Sequence, residues 1–174
     1  PDYAEVYNNM GTSLRDQNKQ DEAIEAYNRS LTIKPGTPDV YNNLGNALKD
    51  QGNLEGALDA YNKVLSIKPY LAEVHRNLSD IKKYTEDDKH FRQVIKLYKR
   101  DDLNDDARCH LSFALAKMYE DIGKLDQSYD YLSKGNALRK KLLKYSINQD
   151  YKLFAKLRNT QPHLLKNSLE FKEK

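Results

Sequence analysis

The chain has 174 residues, a net charge of only +3, 39% hydrophobic and 32% charged residues, and a mean hydropathy of −0.91. That length holds one ordinary domain or a short repeat array, and no apolar run approaches the roughly 20 residues of a membrane span or the core of a secretion signal. A single cysteine, Cys109, excludes an internal disulfide and a multi-cysteine zinc cluster and fits a reducing, cytoplasmic setting, while the near-balanced charge argues against wholesale nucleic-acid binding.

In chain order, the first feature is a repeat. Residues 1–34 align without gaps on residues 35–68 and match at 16 of 34 positions. The shared residues include Tyr7/Tyr41, Asn8/Asn42, Asn9/Asn43, Gly11/Gly45, Leu14/Leu48, Ala23/Ala57, Tyr27/Tyr61 and Pro1/Pro35. Within a unit, Tyr41, Leu44, Gly45 and Leu48 form one helical stripe, and Ala57, Ala60, Tyr61, Val64 and Leu65 form a second. Between them stand Asn18 and Gly52 at equivalent positions, the residue types that best tolerate left-handed backbone at a helix end. Small Gly45 and Ala57 let two antiparallel helices approach, and Pro35 and Pro69 close each unit because proline cannot continue a helix interior.

A third unit, 69–104, begins with Leu71, Val74, His75 and Leu78, then departs: Ser79 replaces the glycine and Lys82 an apolar residue. Thr85–Asp88 reads as a helix start with an acidic first turn, before the stripe Phe91, Val94, Ile95, Tyr98. A fourth unit, 105–144, pairs Leu111, Leu115, Met118 and Ile122 with Leu125, Tyr129, Leu132, Ala137 and Leu138 around Gly123. The remainder, 145–174, reads as a helical cap or linker. It has one amphipathic helix over 147–157 (Tyr151, Phe154, Leu157) and a short piece opened by Pro162 (Leu164, Leu165, Leu169).

Tyr41, Leu44, Gly45, Leu48, Ala57, Tyr61, Val64 and Pro69, with Tyr7, Met10, Gly11, Leu14, Ala23, Tyr27, Ser30 and Pro35, resemble the tetratricopeptide repeat (TPR). The resemblance implies an all-α, right-handed solenoid of helix–turn–helix units, with extra C-terminal helices, held by burial between neighbouring repeats. It also implies a module that binds proteins or extended peptides.

Catalytic chemistry finds no footing. Neither a phosphate-binding G-x-x-x-x-G-K run nor a G-x-S-x-G elbow occurs, and His75, His90, His110 and His163 lack H-E-x-x-H spacing. His75 occupies the aromatic position of unit three and reads as packing. Asp102, Asn104 and Asp106 mimic a calcium loop, but Ala107 stands where glycine is needed and Phe113 where the closing glutamate is needed. Cys109 reads as a small buried hydrophobe and Asn104 or Asp105 as a helix cap. No enzyme, metal or cofactor is expected of this chain.

One polar series recurs. Asn9, Asn43 and Asn77 lie 34 residues apart on the first helix of three successive units, the helix that in the TPR fold lines the concave groove. An amide offers donor and acceptor together and can pair with any peptide backbone. This resembles the groove asparagines of O-GlcNAc-transferase-type TPRs. Asn46, Asn8 and Asn42 extend the candidate surface, whose plainer reading is a row of repeat-consensus amides satisfied by water. The row stops at Ala114. TPRs that grip a C-terminal carboxylate use Lys and Arg; here the matching positions carry Asn8, Thr12, Asn43, Glu73 and Asn77, so that ligand is not expected.

Charge is segregated: 134–174 carries +8 and 1–133 carries −5. Lys140, Lys141, Lys144, Lys152, Lys156 and Arg158 are either a solvated face or a docking surface for an acidic partner or adjoining domain. Aromatics on the apolar stripe rather than among these cations argue against nucleic acid.

Phe113–Gly123 and Tyr131–Arg139, with Tyr145–Asp150 and Leu153–Phe154, are similar to the segment that precedes the catalytic domain in bacterial TPR-sulfotransferases. The resemblance implies a substrate-presenting or assembly module of a longer, PAPS-dependent enzyme, with that domain as an intramolecular partner. A chain beginning at Pro1 and lacking the sulfate-donor loop is expected to be a fragment. The alternative is a free-standing TPR adaptor. Exposed stripes at a solenoid's end also invite self-association.

Overall fold

The structure, a computed structural model, describes residues 3–144 and 147–170; the side chains of 147, 149 and 161–170 lie outside the described residues, as do the expected Leu164, Leu165 and Leu169 stripe, His163, and Tyr145. The helices in order are α1 (Tyr3–Asp16), α2 (Gln20–Ile33), α3 (Pro38–Gln51), α4 (Leu54–Ile67), α5 (Ala72–Ile81), α6 (Lys89–Tyr98), α7 (Asp105–Asp121), α8 (Leu125–Leu142) and α9 (Ile147–Glu170). No strand occurs among the described residues. The fold is an all-α solenoid in which α1, α3, α5 and α7 form an inner layer and α2, α4, α6 and α8 an outer one.

Local chemistry builds each hairpin. Asn18 turns the chain at φ 59°, Gly52 at 91° and Gly123 at 76°, all left-handed. Side-chain caps start α4 and α7, as Asp88 does α6: Asn53 Oδ1 accepts from Gly56 N at 3.0 Å, and Asn104 Oδ1 from Ala107 N at 2.8 Å. Gly11 and Gly45 sit under the rings of Tyr27 and Tyr61, where an added Cβ would lie 2.6 Å from the ring. The fourth hairpin inverts the pairing, with Gly135 on the second helix under Phe113 of the first. A ring cluster fills that end: Phe91 meets Tyr119 edge-on at 5.1 Å, Tyr119 stacks on Tyr131 at 5.4 Å, and Tyr131 meets Tyr98 edge-on at 5.2 Å.

The third hairpin is different. Its helices have ten residues each and are joined by a seven-residue loop, 82–88. They lack the close backbone packing of the other three pairs. Tyr84 folds inward from the loop and is buried between them with His75. The acidic run also lies differently from expectation. Asp88 is the cap, accepting from His90 N at 2.8 Å and Phe91 N at 3.4 Å, so Glu86 and Asp87 precede the helix instead of forming its first turn.

Two further expectations are corrected. Leu125, Tyr129, Leu132 and Ala137 of α8 do not face α7; they are exposed, Tyr129 at 73%. The face turned to α7 is instead Ser128, Tyr131, Gly135 and Leu138. The reason is positional. Ile24 and Leu31, or Leu58 and Leu65, are partly buried against the following repeat, and no described helix stacks on the corresponding face of α8. The second correction is α9, which runs unbroken through Pro162 rather than stopping for a second short helix. A helix without extensive packing against any other lets water take the carbonyl that proline leaves without a partner.

Candidate functional site: an amide row on the inner face

The inner layer brings equivalent residues of successive units side by side. Asn43 Nδ2 donates to Asn8 Oδ1 at 3.0 Å, joining α3 to α1. One repeat on, Asn77 Nδ2 donates to Asn42 Oδ1 at 3.4 Å and Asn46 Oδ1 at 3.1 Å, joining α5 to α3. Thus the pairing is not among Asn9, Asn43 and Asn77 themselves. Each amide of that register reaches back to the preceding unit's neighbouring asparagine. Asn9 takes no part and is exposed.

The row is anchored from beneath. Tyr61 O–H donates to Asn46 Oδ1 at 2.7 Å, and Tyr27 O–H to Thr12 Oγ1 at 3.3 Å. Burial pushes the Tyr61 hydroxyl well above its usual range, so it stays a donor throughout ordinary pH. Tyr27 and Tyr61 therefore do two jobs: ring on glycine, hydroxyl under the row. An amide has two donors and two acceptor lone pairs. Asn43 spends one donor on Asn8, which leaves it capacity for a further partner. Beside the row, Asn8, Asn9, Glu5, Lys34 and Asp39 border a hollow of about 270 Å³ between α1, α2 and α3. Past repeat three the row is replaced: Arg76 lies over the Phe113 ring at 4.8 Å, beside Ala114.

The basic residues fall at the end of α8 and along α9. Lys140 and Lys141 lie in the last turn of α8, Lys144 follows it at φ 49°, and Lys141 pairs with Asp105 at the start of α7. Lys152, Lys156 and Arg158 are exposed along α9, which packs extensively against no other helix.

One polar cluster is illegible in the sequence. Tyr84 Oη lies 2.8 Å from His90 Nδ1, His90 Nε2 2.8 Å from His75 Nδ1, and His75 Nε2 2.9 Å from the Pro69 carbonyl. The carbonyl can only accept, so the chain has one direction: Tyr84 donates to His90, His90 to His75, and His75 to Pro69, with both imidazoles neutral. Burial pushes His75 down and His90 down to about 3. Cys109 is buried, its thiol pushed up by burial, with Sγ 3.5 Å from the Gly135 carbonyl. Among the described residues, no group of His, Cys, Asp and Glu could hold a metal, and no helix is long and apolar enough to cross a membrane.

Comparison with known proteins bears on the fold. A family model described as TPR repeat matches residues 11–52, and one described as tetratricopeptide repeat matches residues 38–71. Residues 11–71 are therefore similar to tetratricopeptide repeats. Its fold is similar to the crystal structure of MamA, with a TM-score of 0.62, 19% identity and 83% of each chain covered. It is similar too to a thermophilic TPR protein of Thermus thermophilus, with a TM-score of 0.58, 19% identity, and 78% of this chain and 74% of that one covered. At such identities the likeness is one of fold. No curated protein matches the chain.

Proposed function

We propose that the chain is a non-catalytic scaffold whose inner face binds an extended segment of a partner protein through its backbone. Asn9, Asn43 and Asn77 are the contacts, flanked by Asn8, Asn42 and Asn46. The observation that carries this reading is the amide row across α1, α3 and α5, held in place by Tyr27 and Tyr61 yet retaining hydrogen-bonding capacity. Amides bordered by Glu5 and Asp39 as well as Lys34 suit a neutral backbone better than a carboxylate. The cytoplasm, where Cys109 stays reduced, is the compartment that fits.

The test is a peptide array read with the natural chain and with Asn9→Ala/Asn43→Ala/Asn77→Ala. Binding that falls at least tenfold in the variant, at an unchanged thermal melt, is the expected result. Binding that survives the triple substitution sinks the proposal. A second reading, that the repeats present substrate to a sulfotransferase domain, rests on the resemblance at Phe113–Gly123 and Tyr131–Arg139. Reading the gene beyond Lys174 separates that from a free-standing adaptor.

A further inference from the structure

The loose third hairpin leaves a cleft on the outer layer. It lies between α4 and α6, with Leu78 of α5 at its base, and holds about 500 Å³. Its floor is apolar, formed by Leu58, Leu65 and Leu78. Its two walls differ in sign. Glu55 and Asp59 stand on α4, one helical turn apart on one face; both are exposed and neither forms an ion pair with a described residue. Lys82 and Lys89 stand opposite. Lys82 is already matched by Asp88, while Lys89 is exposed and forms no ion pair with a described residue. The amides of Asn62 and Gln93 occupy the rim, and His90 closes the inner end.

Side chains at i and i+4 of a helix have Cβ atoms about 6 Å apart. That spacing suits one guanidinium, whose planar fork can donate to both. Leucines beside them suit an aliphatic side chain, and the uncompensated Lys89 suits an anionic one. In an extended peptide, alternate side chains point the same way at about 7 Å intervals. The arrangement therefore reads out three alternate residues: basic, aliphatic, acidic.

We propose that this cleft is a second recognition site, which takes an extended peptide carrying arginine, an aliphatic residue and a carboxylate at alternate positions. The site is distinct from the amide row: all of its lining except Leu78 lies outside the helices that carry that row, and its chemistry differs. A scaffold with both holds two partner segments at once.

The probe is a capped, fluorescein-labelled peptide with an Arg-Ser-Leu-Ser-Glu core, against a control with Glu-Ser-Leu-Ser-Glu. Anisotropy is expected to show at least tenfold tighter binding of the first. Glu55→Lys/Asp59→Lys, both at exposed positions, is expected to abolish that preference at an unchanged melt, and Asn43→Ala/Asn77→Ala to leave it intact. In the natural chain the His90 imidazole resonances shift on titration, because His90 lines the cleft. Equal binding of the two peptides, an unmoved His90 signal, or loss through the asparagine variant instead overturns the proposal. The last outcome would assign the peptide to the inner face.

Discussion

Gly45 shows how one residue sets the distance between two helices. An added Cβ would meet Tyr61 Cε1 at 2.6 Å and Cδ1 at 2.8 Å. Tyr61 cannot yield: it is fully buried, and its hydroxyl is held by Asn46. In an open helix Gly→Ala gains about 1 kcal/mol of propensity, whereas overpacking a filled core costs about 1–3 kcal/mol. Here the second term wins. Gly45→Ala is expected to lower stability by about 1 kcal/mol and the melting temperature by about 2–4 °C for a chain of this size. The same shift of the tyrosine disturbs the amide row above it, so peptide binding should weaken in parallel. A melting temperature that rises instead would show that Tyr61 has room to move. At Gly135 the nearest Phe113 atoms are 3.2 Å away, a milder contact at which the balance is closer to even.

At the scale of the element, α5 and α6 are joined less by packing than by the Tyr84–His90–His75–Pro69 chain. Both imidazoles must be neutral for its hydrogen bonds to run in one direction, and a second proton on His75 would set two N–H groups against each other. Burial, the neighbouring His75 and Lys82 depress His90, and Asp88 opposes them. A folded-state pKa below the unfolded value of 6.5 means that the unfolded chain takes up the proton first. The stabilisation is therefore complete above about pH 6.5 and is lost as pH falls. His90 alone removes about 2 kcal/mol between pH 7 and pH 5. His75 and His110, also lowered by burial, act in the same direction. Urea unfolding at the two pH values should show this loss, and His90→Gln should reduce the slope without abolishing it. A slope unchanged by the substitution would place the acid sensitivity elsewhere. The sequence could not announce this unit. Repeats one and two are legible because their residues recur at a spacing of 34. His75 and His90 become partners only because the third hairpin abandons that spacing. For the same reason the asparagines were legible as a row but not as cross-repeat pairs, which depend on how units stack. The outward face of α8 was misread because apolar periodicity shows that a stripe exists and not whether a neighbour covers it.

Across the whole molecule, stability is a chain of nearest-neighbour interfaces rather than one core. One buried cluster joins repeats one and two through Tyr27, Val40 and Leu44, and another joins repeat two to α5 through Tyr61, Val64, Val74 and Leu78. A third, with Tyr84, Phe91, Leu111, Leu115 and Met118, holds the C-terminal half. Only α5 contributes to both of the latter: Val74 and Leu78 point toward repeat two, and Ala72 belongs to the C-terminal cluster. Since α6 stands away from α4 across the cleft, the two halves are coupled, among the described residues, chiefly through one ten-residue helix. Truncating Leu78, which is 4% exposed, costs about 2–5 kcal/mol in a site that cannot collapse fully. Because that loss falls on the coupling interface rather than inside either half, Leu78→Ala should divide one cooperative unfolding transition into two, with reduced denaturant dependence for each. Hydrogen exchange should then show α1 to α4 and α6 to α8 protected to different extents. A variant that still unfolds in one step, merely at lower denaturant, would mean that the halves are joined by more than α5.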